Sequence, residues 1–195
     1  MAPIKIIFGG PVGSGKTTAI RTLSDIPPIC TDVRASEPDI VRDTTVALDY
    51  GLIKVGENER IHLYGAPGAA RFGFMWEILA KGASGLILLM DNSRSDPFDD
   101  LKFFLKTFAG LTERAKLAVG VTHMDERPWP AIDDYHRQFF GTGLRPAIFQ
   151  VDARARRDVS LLVQGLLYSL DPGLNDDWTE PSDIASPSTW NDTDA

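Results

Sequence analysis

The apolar run Ile4-Lys5-Ile6-Ile7-Phe8-Gly9 leads straight into Gly10-Pro11-Val12-Gly13-Ser14-Gly15-Lys16-Thr17, and that into a helix-like stretch, Thr18-Ala19-Ile20-Arg21-Thr22-Leu23. This order constrains the fold more than anything else in the chain. A glycine-rich turn between a buried strand and a helix lets successive backbone N–H groups converge on anionic oxygens, and the helix adds the positive end of its dipole. Lys16 supplies a point charge and the Thr17 hydroxyl a ligand for magnesium, so the stretch reads as a phosphate-binding loop that opens a βα unit. Gly10, Val12, Gly13, Ser14, Gly15, Lys16, Thr17 and Thr18 are therefore candidate binding residues. The competing description, a glycine turn with a solvated lysine, needs neither the strand before it nor the helix after it.

The rest of the chain supplies matching elements. Ile26-Pro27-Pro28-Ile29 cannot continue a helix, and 27–45 shows no sustained periodicity, so it reads as a long functional loop. Val46 to Val55 is extended, Gly56-Glu57-Asn58 turns it, and Arg60 to Tyr64 returns, which makes an antiparallel hairpin. Gly65-Ala66-Pro67-Gly68 breaks the pattern, after which Phe72, Met75, Trp76, Ile78 and Leu79 recur at helical spacing. Gly85 to Asp91 is a continuous apolar run, as expected of a parallel strand covered on both faces. Helices are expected at 97–108, 131–140 and 159–170, and strands at 117–122 and 147–151. Six strands and five helices predict an α/β domain: a six-stranded, mostly parallel sheet with one antiparallel strand and helices on both faces. Ligands of such sheets sit beyond the carboxyl ends of the strands.

With 195 residues, 43% of them hydrophobic, the chain can build one domain with a real core. A lone cysteine, Cys30, leaves no internal disulfide framework and no paired cluster for structural zinc, which points to a reducing, cytoplasmic setting. No apolar run approaches a membrane span, Ala2 follows Met1 where myristoylation needs glycine, and the last residues offer no cysteine for prenylation. Neither membrane insertion nor a lipid anchor is expected, so recruitment to a membrane or cell pole would need a partner. The net charge of −7 is carried by 171–195, which holds seven acidic residues and no lysine or arginine. Residues 1–170 are balanced, so charge gives no reason to expect nucleic-acid binding. The division is thus a domain over 1–170 and an acidic tail, 171–195, too polar to bury a core and expected to be disordered. A docking segment anchored by Trp178 or Trp190 is the alternative for the tail.

Residues 4–170 resemble the Ras-like small GTPases, and among them the bacterial branch of MglA-type GTPases, whose members often work with roadblock-fold proteins. The resemblance implies a Ras-like P-loop NTPase that binds GTP or GDP with Mg2+. It implies that a threonine closes on the γ-phosphate and magnesium, a position matched by Thr45, with Thr44 the adjacent alternative. The family's Asp-x-x-Gly is matched by Gly65-Ala66-Pro67-Gly68. Gly68 can supply its amide to the γ-phosphate, but Gly65 lacks the carboxylate that steadies magnesium. Ala69 stands where many members place a water-orienting glutamine, and Val12 where Ras proteins keep glycine. The catalytic candidates are then Lys16, Thr45 and Gly68, and the metal candidates Thr17 and Thr45.

The base-reading motif, usually Asn-Lys-x-Asp, is matched by Thr122-His123-Met124-Asp125, in which Asp125 can accept from both the ring N–H and the exocyclic amine of guanine. Thr122 and His123 depart from the motif. The family's Ser-Ala-Lys is matched by Asp152-Ala153-Arg154, where the Ala153 amide would meet the guanine oxygen. Arg34, Arg42 and Arg71 are candidates by position alone for an arginine that neutralises phosphate charge. The expectation is a guanine-nucleotide switch with slow intrinsic hydrolysis, timed by a roadblock-type or other regulatory partner and read by an effector, with bacterial motility, polarity or signalling suggested by the resemblance. Two other readings stay open: a pseudo-GTPase scaffold that holds nucleotide without turnover, and a P-loop phosphotransferase using ATP.

Overall fold

The computed structural model describes residues 3–30, 48–56, 59–69 and 72–170. Its strands are β1 (Ile4–Gly9), β2 (Ile29–Cys30), β3 (Asp49–Val55), β4 (Glu59–Gly65), β5 (Gly85–Asp91), β6 (Lys116–Thr122) and β7 (Ala147–Gln150). Its helices are α1 (Lys16–Leu23), α2 (Gly73–Ala80), α3 (Pro97–Thr107), α4 (Ala109–Thr112), α5 (Ile132–Gln138) and α6 (Arg156–Leu170). One sheet runs in the order β2-β3-β4-β1-β5-β6-β7. β1 pairs in parallel with β4 and β5, and β6 in parallel with β5 and β7. β3 lies antiparallel to both its neighbours, β2 and β4, so it alone is reversed. The six expected strands with one antiparallel member are present, and the architecture is consistent with a P-loop fold.

Several elements differ from expectation, among them the helix expected over 131–140, which spans Ile132–Gln138. The two-residue β2 falls inside the stretch read as loop: Ile29 and Cys30 pair with Tyr50 and Asp49 at the sheet edge, a contact too short to leave a periodic signature. The chain after α3 turns again as α4, where Phe108 and Leu111 bury against the sheet. α6 begins three residues early because its first turn, Arg156-Arg157-Asp158, is polar and invisible to an apolar period. Residues 31–47 and 171–195 lie outside the described residues, and with them the expectations for Thr44, Thr45, Arg34, Arg42, the first residues of the 46–55 strand and the tail. Arg71 lies outside them as well.

The sheet divides the core in two. On one side α1 and α6 bury Ile20, Val159, Leu162 and Leu166 against Phe8, Leu63 and Ile87. On the other, α2 to α5 bury Trp76, Leu101, Phe104 and Tyr135 against Ile7, Leu88 and Val119. β5 is covered on both faces along its whole length, as its unbroken apolar sequence requires. Each fully buried large side chain here removes about 1.5–3 kcal/mol worth of apolar surface from water. Local signals agree with this packing: at the start of α3, Asp96 accepts hydrogen bonds from the amides of Phe98 and Asp99, and Pro97 occupies the first helical turn.

Among the described residues no helix is long and apolar enough to cross a membrane.

Candidate functional site

Five parallel strands end on the same edge, and the loops that follow β1, β4, β6 and β7 converge there. The first of them, 10–15, is held tightly from below. Gly10 has φ +136, and a Cβ at that position would lie 2.1 Å from the Leu89 carbonyl oxygen, so only glycine lets the loop leave β1 this close to β5. Gly15 caps α1 in the left-handed conformation, and no side chain caps the helix. With no acidic residue in that first turn, the amide end of α1 faces outward with its dipole uncompensated.

Lys16 turns back over the loop and donates to the carbonyl oxygens of Gly10 at 2.9 Å and Pro11 at 2.6 Å. Its side chain is buried, and loss of hydration lowers its pKa from 10.5 to about 8, partly offset by the negative charge of Asp49. Beside it the Thr17 hydroxyl donates to Asp49 Oδ2 at 2.5 Å. Val12, Gly13, Thr17, Thr18 and Gly68 line, with Asp49, a cavity of about 280 Å³ over the loop. The segment after β4 closes one wall: a Cβ on Gly68 would stand 2.6 Å from the Val12 amide nitrogen. Ala66 donates its amide to the Phe8 carbonyl at 2.8 Å, and the indole of Trp76 donates to the Pro67 carbonyl at 2.8 Å, which fastens this wall to β1 and α2.

A second cavity, of about 500 Å³, shares Gly13, Gly15 and Thr18 with the first. Its far side is built by Thr122, His123 and Asp125 after β6 and by Asp152, Ala153 and Arg154 after β7. Thr122 is buried at the end of β6, where its hydroxyl lies 3.3 Å from the Ser14 carbonyl and 3.1 Å from that of Met90. It therefore ties the phosphate-type loop to the central strands, a task that asks for a hydroxyl rather than for any one residue. His123 has a left-handed backbone, φ 57, and its Nδ1 lies 3.2 Å from Asp91 Oδ1. Asp125 is exposed at the cavity mouth. Arg154 grips Asp152 through Nε at 2.9 Å and a terminal nitrogen at 3.0 Å, and this holds the Asp152 carboxyl below its usual pKa. The buried Asn92 steadies the β6 loop: its amide donates to the carbonyls of Arg127 and Pro130, and Tyr135 donates to it at 2.8 Å.

The structure brings together every described residue that the sequence singled out. Gly10 and Ser14 lie beneath the cavities and the others line one or both. The motif reading missed Asp49 and Asp91. Asp49 is 4% exposed, and its Oδ1 has no hydrogen-bond partner among the described residues; the buried Ser14 Oγ is in the same position. The signal for Asp49 was the hairpin itself, because pairing Val55 with Glu59 sets Asp49 opposite Gly65. No group of three His, Cys, Asp or Glu among the described residues is arranged as a metal site.

A strand-loop-helix turn and a second loop cluster at the ends of parallel strands make this an α/β protein consistent with a P-loop-like fold. No family model matches the chain. Over 118 residues it is 27% identical to an uncharacterized protein of Methanocaldococcus jannaschii, a stretch covering 60% of this chain and 67% of that protein. Over 106 residues it is 26% identical to intraflagellar transport protein 22 of Chlamydomonas reinhardtii, covering 54% of this chain and 53% of the algal one. The match thus spans about half the length of the algal relative.

Proposed function

We propose that this chain is a small guanine-nucleotide-binding protein of Ras-like architecture that works as a molecular switch. The observation that carries the reading is the union of two cavities across Gly13, Gly15 and Thr18: one walled by Lys16 and the amide end of α1, the other by the loops after β6 and β7. In this reading Lys16 binds the phosphates, and the α1 amides orient them. Asp125 reads the base by accepting from guanine, and the Ala153 amide donates to the guanine oxygen, both residues lining the second cavity. Mg2+ fits the donor set: Thr17 offers a hydroxyl, Thr45 is the second ligand implied by the resemblance, and Asp49, which lines the same cavity, has one carboxylate oxygen without a partner among the described residues. Bound magnesium supplies charge neutralisation on the phosphate oxygens.

The similarity to intraflagellar transport protein 22 supports a small GTPase-like protein over an ATP-using phosphotransferase. Resemblance to the MglA-type branch supports a roadblock-type regulator, an effector and a role in motility or polarity. The scaffold reading, in which GTP or GDP is held without turnover, draws on Val12, Gly65 and Ala69. It is separated from a switch by single-turnover GTP hydrolysis with and without a regulatory partner. The test of the base assignment is competition between GDP and ADP for the nucleotide-stripped chain. The wild type is expected to prefer GDP, and Asp125→Ala to lose that preference by about 100-fold, the worth of two charge-assisted hydrogen bonds. Equal binding of ADP and GDP by the wild type would end the guanine reading.

A further inference from the structure

β3 and β4 are paired from Asp49 opposite Gly65 to Val55 opposite Glu59, so their side chains alternate between the two faces in step. One face belongs to α1: Ile20 and Ser24 stand where a Cβ on Gly51 would grow. On the other face Tyr50 lies opposite Tyr64 and Lys54 opposite Arg60, and β1 adds Lys5 beside His62. The rings there form a cluster, with Tyr50 and Tyr64 5.2 Å apart between centroids and the Tyr50 hydroxyl 2.9 Å from His62 Nδ1. Lys5 reaches over it, its Nζ 5.0 Å from the centre of the Tyr64 ring, and donates to the Lys81 carbonyl at 2.8 Å. The three rings are half-buried, and Lys54, Arg60 and Lys81 are exposed.

None of the cations Lys5, Lys54, Arg60 and Lys81 is in an ion pair among the described residues. Asp25 accepts from the Lys54 amide, but Arg156 holds its other oxygen at 2.9 Å. Like charges set directly opposite each other, as Lys54 and Arg60 are, destabilise a strand pair unless an anion lies between them. The chain carries such an anion in 171–195, with seven acidic residues and no lysine or arginine. α6 ends at Leu170, and Leu166 packs at Gly85, the first residue of β5, so the tail is attached at the edge where β1 and β4 also begin. From β5 to β3 is three strand spacings, about 15 Å, and six extended residues span up to about 20 Å. Asp176-Asp177-Trp178 therefore reaches this face. So short a tether gives the segment a local concentration of about millimolar, ahead of any free acidic peptide.

We infer that residues 176–183 of the acidic tail dock on this face of the β3–β4 hairpin, with Trp178 against the Tyr50, His62 and Tyr64 rings and its acidic neighbours among the four cations. Asp176 and Asp177 precede the indole and Glu180 and Asp183 follow it, while the cations flank the rings from the hairpin turn and from β1. Docking relieves the repulsion between Lys54 and Arg60. The face lies away from the loops at the carboxyl ends of the strands, so the inference does not depend on the function proposed above.

The test uses the full chain, isotope-labelled for amide NMR, with Cys30→Ser and with Thr179→Cys carrying a nitroxide spin label. The label is expected to broaden the amides of Lys5, Lys54, Arg60 and His62 in about 0.05 M salt, and the broadening to fall at least about threefold in about 0.5 M salt. Lys54→Glu with Arg60→Glu is expected to abolish it. So is a tail variant combining Asp176→Asn, Asp177→Asn, Glu180→Gln and Asp183→Asn, which leaves the domain unaltered and decides alone if the first variant does not fold. Unbroadened amides at these positions, or broadening that the neutralised tail leaves unchanged, overturn the inference. Broadening of equal strength when spin-labelled chains are mixed with isotope-labelled chains lacking the spin label places the tail on a second copy, and overturns it as well.

Discussion

Raising the pH should unload the phosphate cradle through Lys16. In the nucleotide-free chain this ammonium is buried against the Gly10 and Pro11 carbonyls, and desolvation brings its pKa from 10.5 to about 8. A bound polyphosphate holds the charge on, so nucleotide binding takes up one proton wherever the free lysine is neutral. Between pH 7 and pH 9.5 the affinity for mant-GDP should fall about 30-fold, approaching tenfold per unit above pH 8. Lys16→Arg is the reference: its guanidinium stays charged throughout, and the alkaline titration of the base enters both chains equally. Folding carries the opposite sign. The native state releases this proton near pH 8 and the unfolded chain near 10.5, so from Lys16 the nucleotide-free protein gains up to about 3 kcal/mol across that window. A wild-type affinity profile that runs parallel to that of Lys16→Arg up to pH 9.5 would refute the argument.

Two further substitutions probe the scaffold. Gly10→Ala drives a methyl group to 2.1 Å from the Leu89 carbonyl at φ +136 and should cost at least about 2 kcal/mol in urea unfolding; unchanged stability would mean that the loop leaves β1 by another path. Thr122→Val keeps the shape but removes the hydroxyl that reaches the Ser14 and Met90 carbonyls. It should cost about 1 kcal/mol, or about 2–4 °C in Tm, and speed release of mant-GDP by loosening the loop.

Elements whose stability comes from their own run of side chains were legible in advance. β5 declares itself by seven buried residues in succession, and α1 by its place after the glycine turn. Elements held by partners distant in sequence were not: β2 exists through its pairing with β3, and the first turn of α6 is fixed by contacts such as Arg156 with Asp25. The site divides the same way. Lys16 and Thr17 announce themselves by spacing, and Gly68 and Asp125 through the family resemblance, whereas Asp91 and the Asn92–Tyr135 contact are long-range matters that no local pattern encodes. Asp49 lies between these cases. It was readable from hairpin register, which sets it opposite Gly65, but the motif directs attention to position 65.

A Cβ at Gly15 would lie 2.8 Å from the Ala153 Cβ, and Thr22 donates to the Ala153 carbonyl at 2.9 Å. The loop after β7 therefore rests directly on the start of α1. The span between the anionic end and the aromatic end of any bound molecule is consequently set by the packed core rather than by adjustable side chains. On the nucleotide reading proposed above, such a cleft is a fixed-gap calliper that selects by length as well as by chemistry, so pyrophosphate alone or guanosine alone would each close only one jaw.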